Sequence, residues 1–156
     1  MTDVSDSPVV PPTRFGDVDG LDKAYGAMAH FDHAIDLDPT LRELVKLRAS
    51  ALNGCAFCVD MHTTDARAQG ETDRRLASVM VWPHAPFFTA RERAALRLTD
   101  AMTLLDGHGE GVADEVWDEA KAHFDPTELG QLVMAITAIN SWNRIAVTLL
   151  STPPLD

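Results

Sequence analysis

The chain has 156 residues, 46% of them hydrophobic and 24% charged. That suffices for one domain whose core needs neither disulfides nor a structural metal. With 24 acidic and 13 basic residues the formal charge is -11, which repels phosphate backbones and anionic lipid and sets nucleic acid and membrane surfaces aside as partners.

Residues 1–16 carry Pro8, Pro11 and Pro12 among serines and aspartates and read as a flexible arm with little core to offer. Residues 17–156 read as one helical domain. The arm has no positive n-region followed by an apolar run, so it does not read as a signal peptide. Two cysteines do not make a secreted disulfide scaffold. The expected location is the cytoplasm.

No stretch alternates apolar and polar residues in the manner of a strand, and the expected class is all-α with six to seven helices. The first helix spans about Leu21 to Ile35. The second opens with Asp38 as N-cap and Pro39 in the first turn, buries Leu41, Leu44, Val45, Ala49 and Leu52, and ends at Asn53-Gly54. The third runs from near Cys55 to Gln69, with Gly70 as its stop. A short fourth helix covers about Thr72 to Val81, followed by the stiff connection Trp82-Pro83-His84-Ala85-Pro86.

The fifth helix starts at a capping box, Thr89 with Glu92, and buries Ala94, Ala95, Leu98, Ala101, Met102 and Leu105. A glycine-punctuated loop, Asp106 to Gly111, precedes a sixth helix from Ala113 to His123. Asp125, Pro126 and Glu128 open the last helix, which reaches about Leu150. This helix is apolar on more than one side, from Leu129 through Ile136 and Trp142 to Leu150, but Asn140, Asn143 and Arg144 interrupt it. It therefore does not read as membrane-spanning. Its cover comes either from a second subunit or from a central place in the monomer. The three polar residues fit a subunit interface or a ligand pocket equally well.

The chemistry concentrates in Cys55-Ala56-Phe57-Cys58-Val59-Asp60-Met61-His62. Cys55 and Cys58 share a helix face within reach of a disulfide, and His62 is four residues beyond Cys58 on the same side. A helix start favours a thiolate through its free N–H groups and dipole, and an adjacent imidazole accepts the thiol proton. Four readings compete. One is a redox dithiol. A second is a zinc site of Cys55, Cys58 and His62 with Glu43 as fourth ligand. A third, haem attachment, needs histidine where Val59 stands. The fourth is a pair of buried cysteines serving as small hydrophobes.

Glu43, eleven residues, then Cys55-x-x-Cys58-x-x-x-His62 resembles the signature of the AhpD-like alkylhydroperoxidases, within the carboxymuconolactone decarboxylase superfamily. The stretches Leu41-Arg42-Glu43-Leu44-Val45, Phe88 to Leu96 and Asn140 to Arg144 are similar to the same family, so the likeness covers about Leu21 to Pro153. The resemblance implies an AhpD-like helical fold, a homo-oligomer (trimer, hexamer or dimer) and a peroxidase cycle without cofactor or metal. By position, Cys58 resembles the peroxidatic thiol, Cys55 the resolving thiol, His62 the activating base and Glu43 the carboxylate of the proton relay. On its residue type alone, Glu43 near a helix start reads as a solvated acid. The resemblance further implies a small peroxide as substrate and a lipoyl-bearing or thioredoxin-like protein as dithiol reductant. One departure is Phe57, which stands where well-known members carry a relay histidine. The alternative functions are lactone decarboxylation, although decarboxylating members generally lack the dithiol, and a redox-sensing or ligand-binding module without turnover.

Among the remaining histidines, His84 fits the mouth of a substrate site, His108 an exposed loop and His123 a helix C-terminus. His30 and His33 have a spacing compatible with a metal. Trp82, Trp117 and Trp142 read as core or interface residues.

Overall fold

The computed structural model describes residues 7–105, 109 and 111–155. Among these residues seven α-helices follow in chain order: α1 (Asp22–His33), α2 (Pro39–Leu52), α3 (Ala56–Ala68), α4 (Asp73–Ser78), α5 (Ala90–Thr103), α6 (Asp114–His123) and α7 (Pro126–Thr148). Short 3-10 turns occupy Phe15–Asp17 and Val79–His84. There is no strand among the described residues, and the fold is the expected all-α one.

Most helix starts follow from their caps. Asp38 accepts from Leu41 N at 2.9 Å. Thr89 and Asp125 each complete a capping box, with Glu92 and Glu128 reaching back to the cap amide. α6 begins at Ala113 with no side-chain cap.

Two predicted boundaries need correction. The fourth helix does not run on to Val81. It tightens into a 3-10 turn at Val79, with Val81 non-helical, because Pro83 has no N–H for the helical ladder. Arg93 reinforces that turn by donating to the carbonyls of Trp82, Pro83 and Ala85. Leu105, assigned to the buried face of the fifth helix, lies beyond its end and is 59% exposed. His108 and most of its loop lie outside the described residues.

α2 is the hub, packed against α3, α5 and α7. On one side Leu41 and Val45 meet Ala95, Leu98, Leu132 and Ile136, and on the other Leu44 and Leu47 meet Leu76, Val79, Trp82 and Leu96. α7 touches α1, α2, α3, α5 and α6, so the chain itself covers much of its apolar circumference. Leu150, at φ 55°, turns the chain after α7, and Ser151 N closes back onto Ala146 O. No helix among the described residues is long and apolar enough to cross a membrane.

An ion-pair cluster ties α4 to the start of α5. Arg75 binds Glu71, Glu92 and the carbonyl of Phe87. Burial pushes the Glu92 carboxyl up, but hydrogen bonds from Arg75 and the Thr89 amide, with the Arg75 charge, hold it below its usual range. A depressed carboxyl stabilises the fold above its unfolded value, about 4.3, and loses that contribution as pH falls through its folded value. Glu92→Gln is therefore expected to lower Tm at pH 7, with the gap from wild type narrowing below pH ~4. Thermal melts across that range check it.

Candidate functional site

The dithiol sits where α2 hands over to α3. Gly54 takes φ 67°, a left-handed turn that glycine enters without strain. The turn makes Cys55 the N-cap of α3, and its Sγ accepts from Cys58 N at 3.3 Å. Cys55 and Cys58 are joined in a disulfide, each 2% exposed.

A polar network fixes this turn from below. Asn53 Nδ2 donates to Asn140 Oδ1 and Asn143 Oδ1, both at 2.9 Å. Asn143 Nδ2 donates to Ser50 Oγ, whose hydroxyl donates to Lys46 O. Ser50 O in turn accepts from Cys55 N at 2.9 Å. Asn143 is fully buried. The polar residues of α7 thus support the dithiol turn, which neither expected reading, interface or ligand pocket, anticipated for Asn143. Asn143→Ala leaves Ser50 and Asn53 each short of a partner. It is expected to cost about 1–3 kcal/mol, read as a lower denaturant midpoint at unchanged m-value.

His62 lies one helical turn after Cys58. Its Nδ1 is 2.8 Å from Glu43 Oε2 on the facing helix α2, and both residues are 5% exposed. An ionised carboxylate only accepts, so this contact assigns a proton to Nδ1, and in the neutral ring Nε2 is then the lone-pair acceptor. Nε2 is buried and has no hydrogen-bond partner. Arg42 Nε, 3.6 Å from Glu43 Oε1, adds a compensating charge beyond hydrogen-bonding distance. The carboxylate that residue type alone assigns to solvent is therefore buried against the imidazole.

A cavity of about 290 Å³ opens over Cys58 and His62. Phe15, Tyr25, Phe57 and Trp142 line it, with Tyr25 and Trp142 edge to face at 4.7 Å. Cys58 is the one cysteine in its wall. Phe57 fills part of the wall with an apolar ring. Phe15 belongs to the segment expected to be an arm, and the neighbouring Arg14 donates to Leu149 O and Thr148 O. The aromatic role of Trp142 is thus cavity wall, while Trp82 is core and Trp117 is 39% exposed.

Sequence reasoning missed Lys46 and Asp32, which also line the cavity. Lys46 is buried, and its Nζ is 2.8 Å from both Asp32 oxygens. Lys46 shares its face of α2 with Arg42, Glu43 and Ser50, so on spacing alone it reads as part of a solvated polar face. His33 lines the cavity, whereas His84 is exposed and away from it. Among the described residues, Glu43, His62 and Asp65 bring possible metal-ligand atoms within 4.8 Å of one another. The zinc set of Cys55, Cys58, His62 and Glu43 is not assembled in this state, because both sulfurs are committed to the disulfide.

Residues 20–101 match the profile of the carboxymuconolactone decarboxylase family. The chain is 40% identical to the uncharacterised protein YdfG of Bacillus subtilis over 122 residues, 78% of this chain and 82% of that one. It superposes with TM-score 0.84 and 36% identity on a protein of unknown function from Agrobacterium tumefaciens, for which an AhpD antioxidant defence role has been suggested. That match covers 93% of this chain and all of the other. A variant of the debrominase Bmp8 in complex with 2,3,4-tribromopyrrole shares the fold at TM-score 0.74 and 18% identity, over 86% of this chain and 71% of that one.

Proposed function

The chain belongs to the carboxymuconolactone decarboxylase family, and from that premise we propose that it is a cytoplasmic dithiol peroxidase of the AhpD kind. One observation carries the reading. Cys58, already paired with Cys55, lines an aromatic cavity beside an imidazole whose other nitrogen is held by a buried carboxylate. Lactone decarboxylation has no use for such a dithiol.

In the reduced protein His62 Nε2 accepts the Cys58 thiol proton, and the thiolate attacks the terminal peroxide oxygen. The O–O bond breaks, Cys58 becomes a sulfenic acid, and the proton on His62 goes to the leaving alkoxide. The Cys55 thiol then attacks the Cys58 sulfur. The S–O bond breaks, water leaves and the disulfide of the present structure forms. An external dithiol restores both thiols by exchange and is itself oxidised to a disulfide. Its source is a lipoyl-bearing or thioredoxin-like partner, and the working form is a homo-oligomer. Glu43 keeps the tautomer of His62 and offsets its charge once it is protonated.

The test is peroxide consumption by the reduced, metal-free protein, with cumene hydroperoxide as oxidant and dihydrolipoamide as donor. Many turnovers per protein are expected. A single oxidation that no dithiol reverses points instead to a redox sensor. Thiols that resist alkylation, or zinc bound at purification, overturn the peroxidase reading.

A further inference from the structure

The cavity over Cys58 contains a charge pair that the peroxide cycle does not use. Lys46 projects from α2 with 6% of its side chain exposed, and both oxygens of Asp32, on α1, lie 2.8 Å from its ammonium. Asp32 keeps 24% of its side-chain surface. An uncompensated ammonium in an apolar wall attracts any carboxylate of suitable size. Here Asp32 already holds that position, and it stands where it repels a second anion.

We propose that Asp32 and Lys46 form a charge filter that sets the ligand class of the dithiol cavity. The ligands it admits are compact, uncharged aromatic or branched molecules bearing one hydroxyl or hydroperoxyl group, and carboxylates are turned away. This deepens the peroxidase reading and rests on Cys58 as the reacting thiol. Size follows from the volume. A cavity of about 290 Å³ holds on the order of ten non-hydrogen atoms, at roughly 30 Å³ each as in liquid water. Aromatic rings from Tyr25, Phe57 and Trp142 give the body of such a ligand flat surfaces to pack on. The ammonium has a third N–H and Asp32 has spare lone pairs, so a neutral hydroxyl finds both a donor and an acceptor. A carboxylate gains the same donor but meets the Asp32 charge at close range.

A purely structural role for the pair is the competing account, because it also tethers α1 to α2. The two accounts separate on ligand preference. 2-Phenylethanol and phenylacetate are nearly the same size, both within the limit of about ten non-hydrogen atoms, and differ in charge; neither reacts with a thiol. Their binding to the oxidised wild-type protein is measured by calorimetry, so the result does not depend on peroxide turnover. The alcohol is expected to bind about tenfold more tightly or better. Asp32→Asn leaves Lys46 uncompensated and is expected to reverse the preference toward the carboxylate. Lys46→Met retains Asp32 and is expected to bind the alcohol while rejecting the carboxylate more strongly than wild type. If Asp32→Asn fails to fold, the wild-type ratio and Lys46→Met decide. Equal wild-type affinities, binding of neither compound, or a folded Asp32→Asn with an unmoved ratio overturns the filter. Failure of peroxide turnover with the expected binding pattern intact overturns only the peroxidase reading.

Discussion

Cys58→Ser is expected to consume no cumene hydroperoxide, not even one equivalent, whereas reduced Cys55→Ser consumes one equivalent and, with no donor present, stops as the sulfenic acid. The asymmetry follows from placement. Cys58 lines the cavity and is followed one turn later by His62, while Cys55 caps α3 outside the cavity wall. Serine in place of Cys58 leaves the cavity without a thiol beside the imidazole, and the remaining Cys55 thiol lies outside its wall. Serine in place of Cys55 leaves the first step intact and removes the second, so a sulfenic acid accumulates on Cys58. Trapping by dimedone with intact-mass detection identifies it. Recycling by dihydrolipoamide then slows at least about tenfold, because direct attack on the sulfenic acid replaces intramolecular closure. Full turnover in Cys58→Ser would reverse the assignment of the two thiols.

The second large effect concerns Glu43. Glu43→Leu leaves His62 Nδ1 buried without a partner, in addition to the unpartnered Nε2. Two consequences are expected. Stability falls by about 1–3 kcal/mol through the unsatisfied donor. Peroxide reduction slows by about 10²-fold or more, because the ring loses both its tautomer preference and the carboxylate that offsets its positive charge. Glu43→Gln separates the two. Its amide oxygen still accepts from Nδ1, so stability and tautomer are largely retained, but the charge is gone. An intermediate rate loss with near wild-type stability identifies the electrostatic part. The rate of Cys58 alkylation at fixed pH is the second readout. It falls with the peroxidase rate if Glu43 acts through His62, and stays unchanged if the pair only holds α2 to α3.

Helix boundaries were legible where local chemistry sets them. Asp38, Thr89 and Asp125 are side-chain acceptors placed to take up free helix N–H groups, and Gly54 and Gly70 are residues that enter left-handed turns freely. The 3-10 turn before Pro86 was not legible in the same way. The periodicity of Leu76 and Val79 continues through it, and only the missing Pro83 donor and the Arg93 clamp break the helix there.

The site divides along the same line. Cys55, Cys58 and His62 lie within eight residues, and their i, i+3 and i+4 spacing on one helix brings them together whatever the rest of the chain does. Local spacing was therefore enough to place two cysteines and a neighbouring imidazole at the start of a helix in an all-α chain, while the redox reading of the pair came from the family resemblance. Which polar side chains surround that dithiol is a matter of helix packing, and of these only Glu43 was expected, through the family resemblance. Glu43 is 19 residues from His62, Asp32 is 14 from Lys46, and Asn53 is 90 from Asn143. Each of these residue types ordinarily prefers water, so each reads in isolation as surface. Each pair supplies in the interior a hydrogen bond that burial removes, although His62 Nε2 is left without a partner, and that compensation exists only once α1, α2, α3 and α7 are in contact.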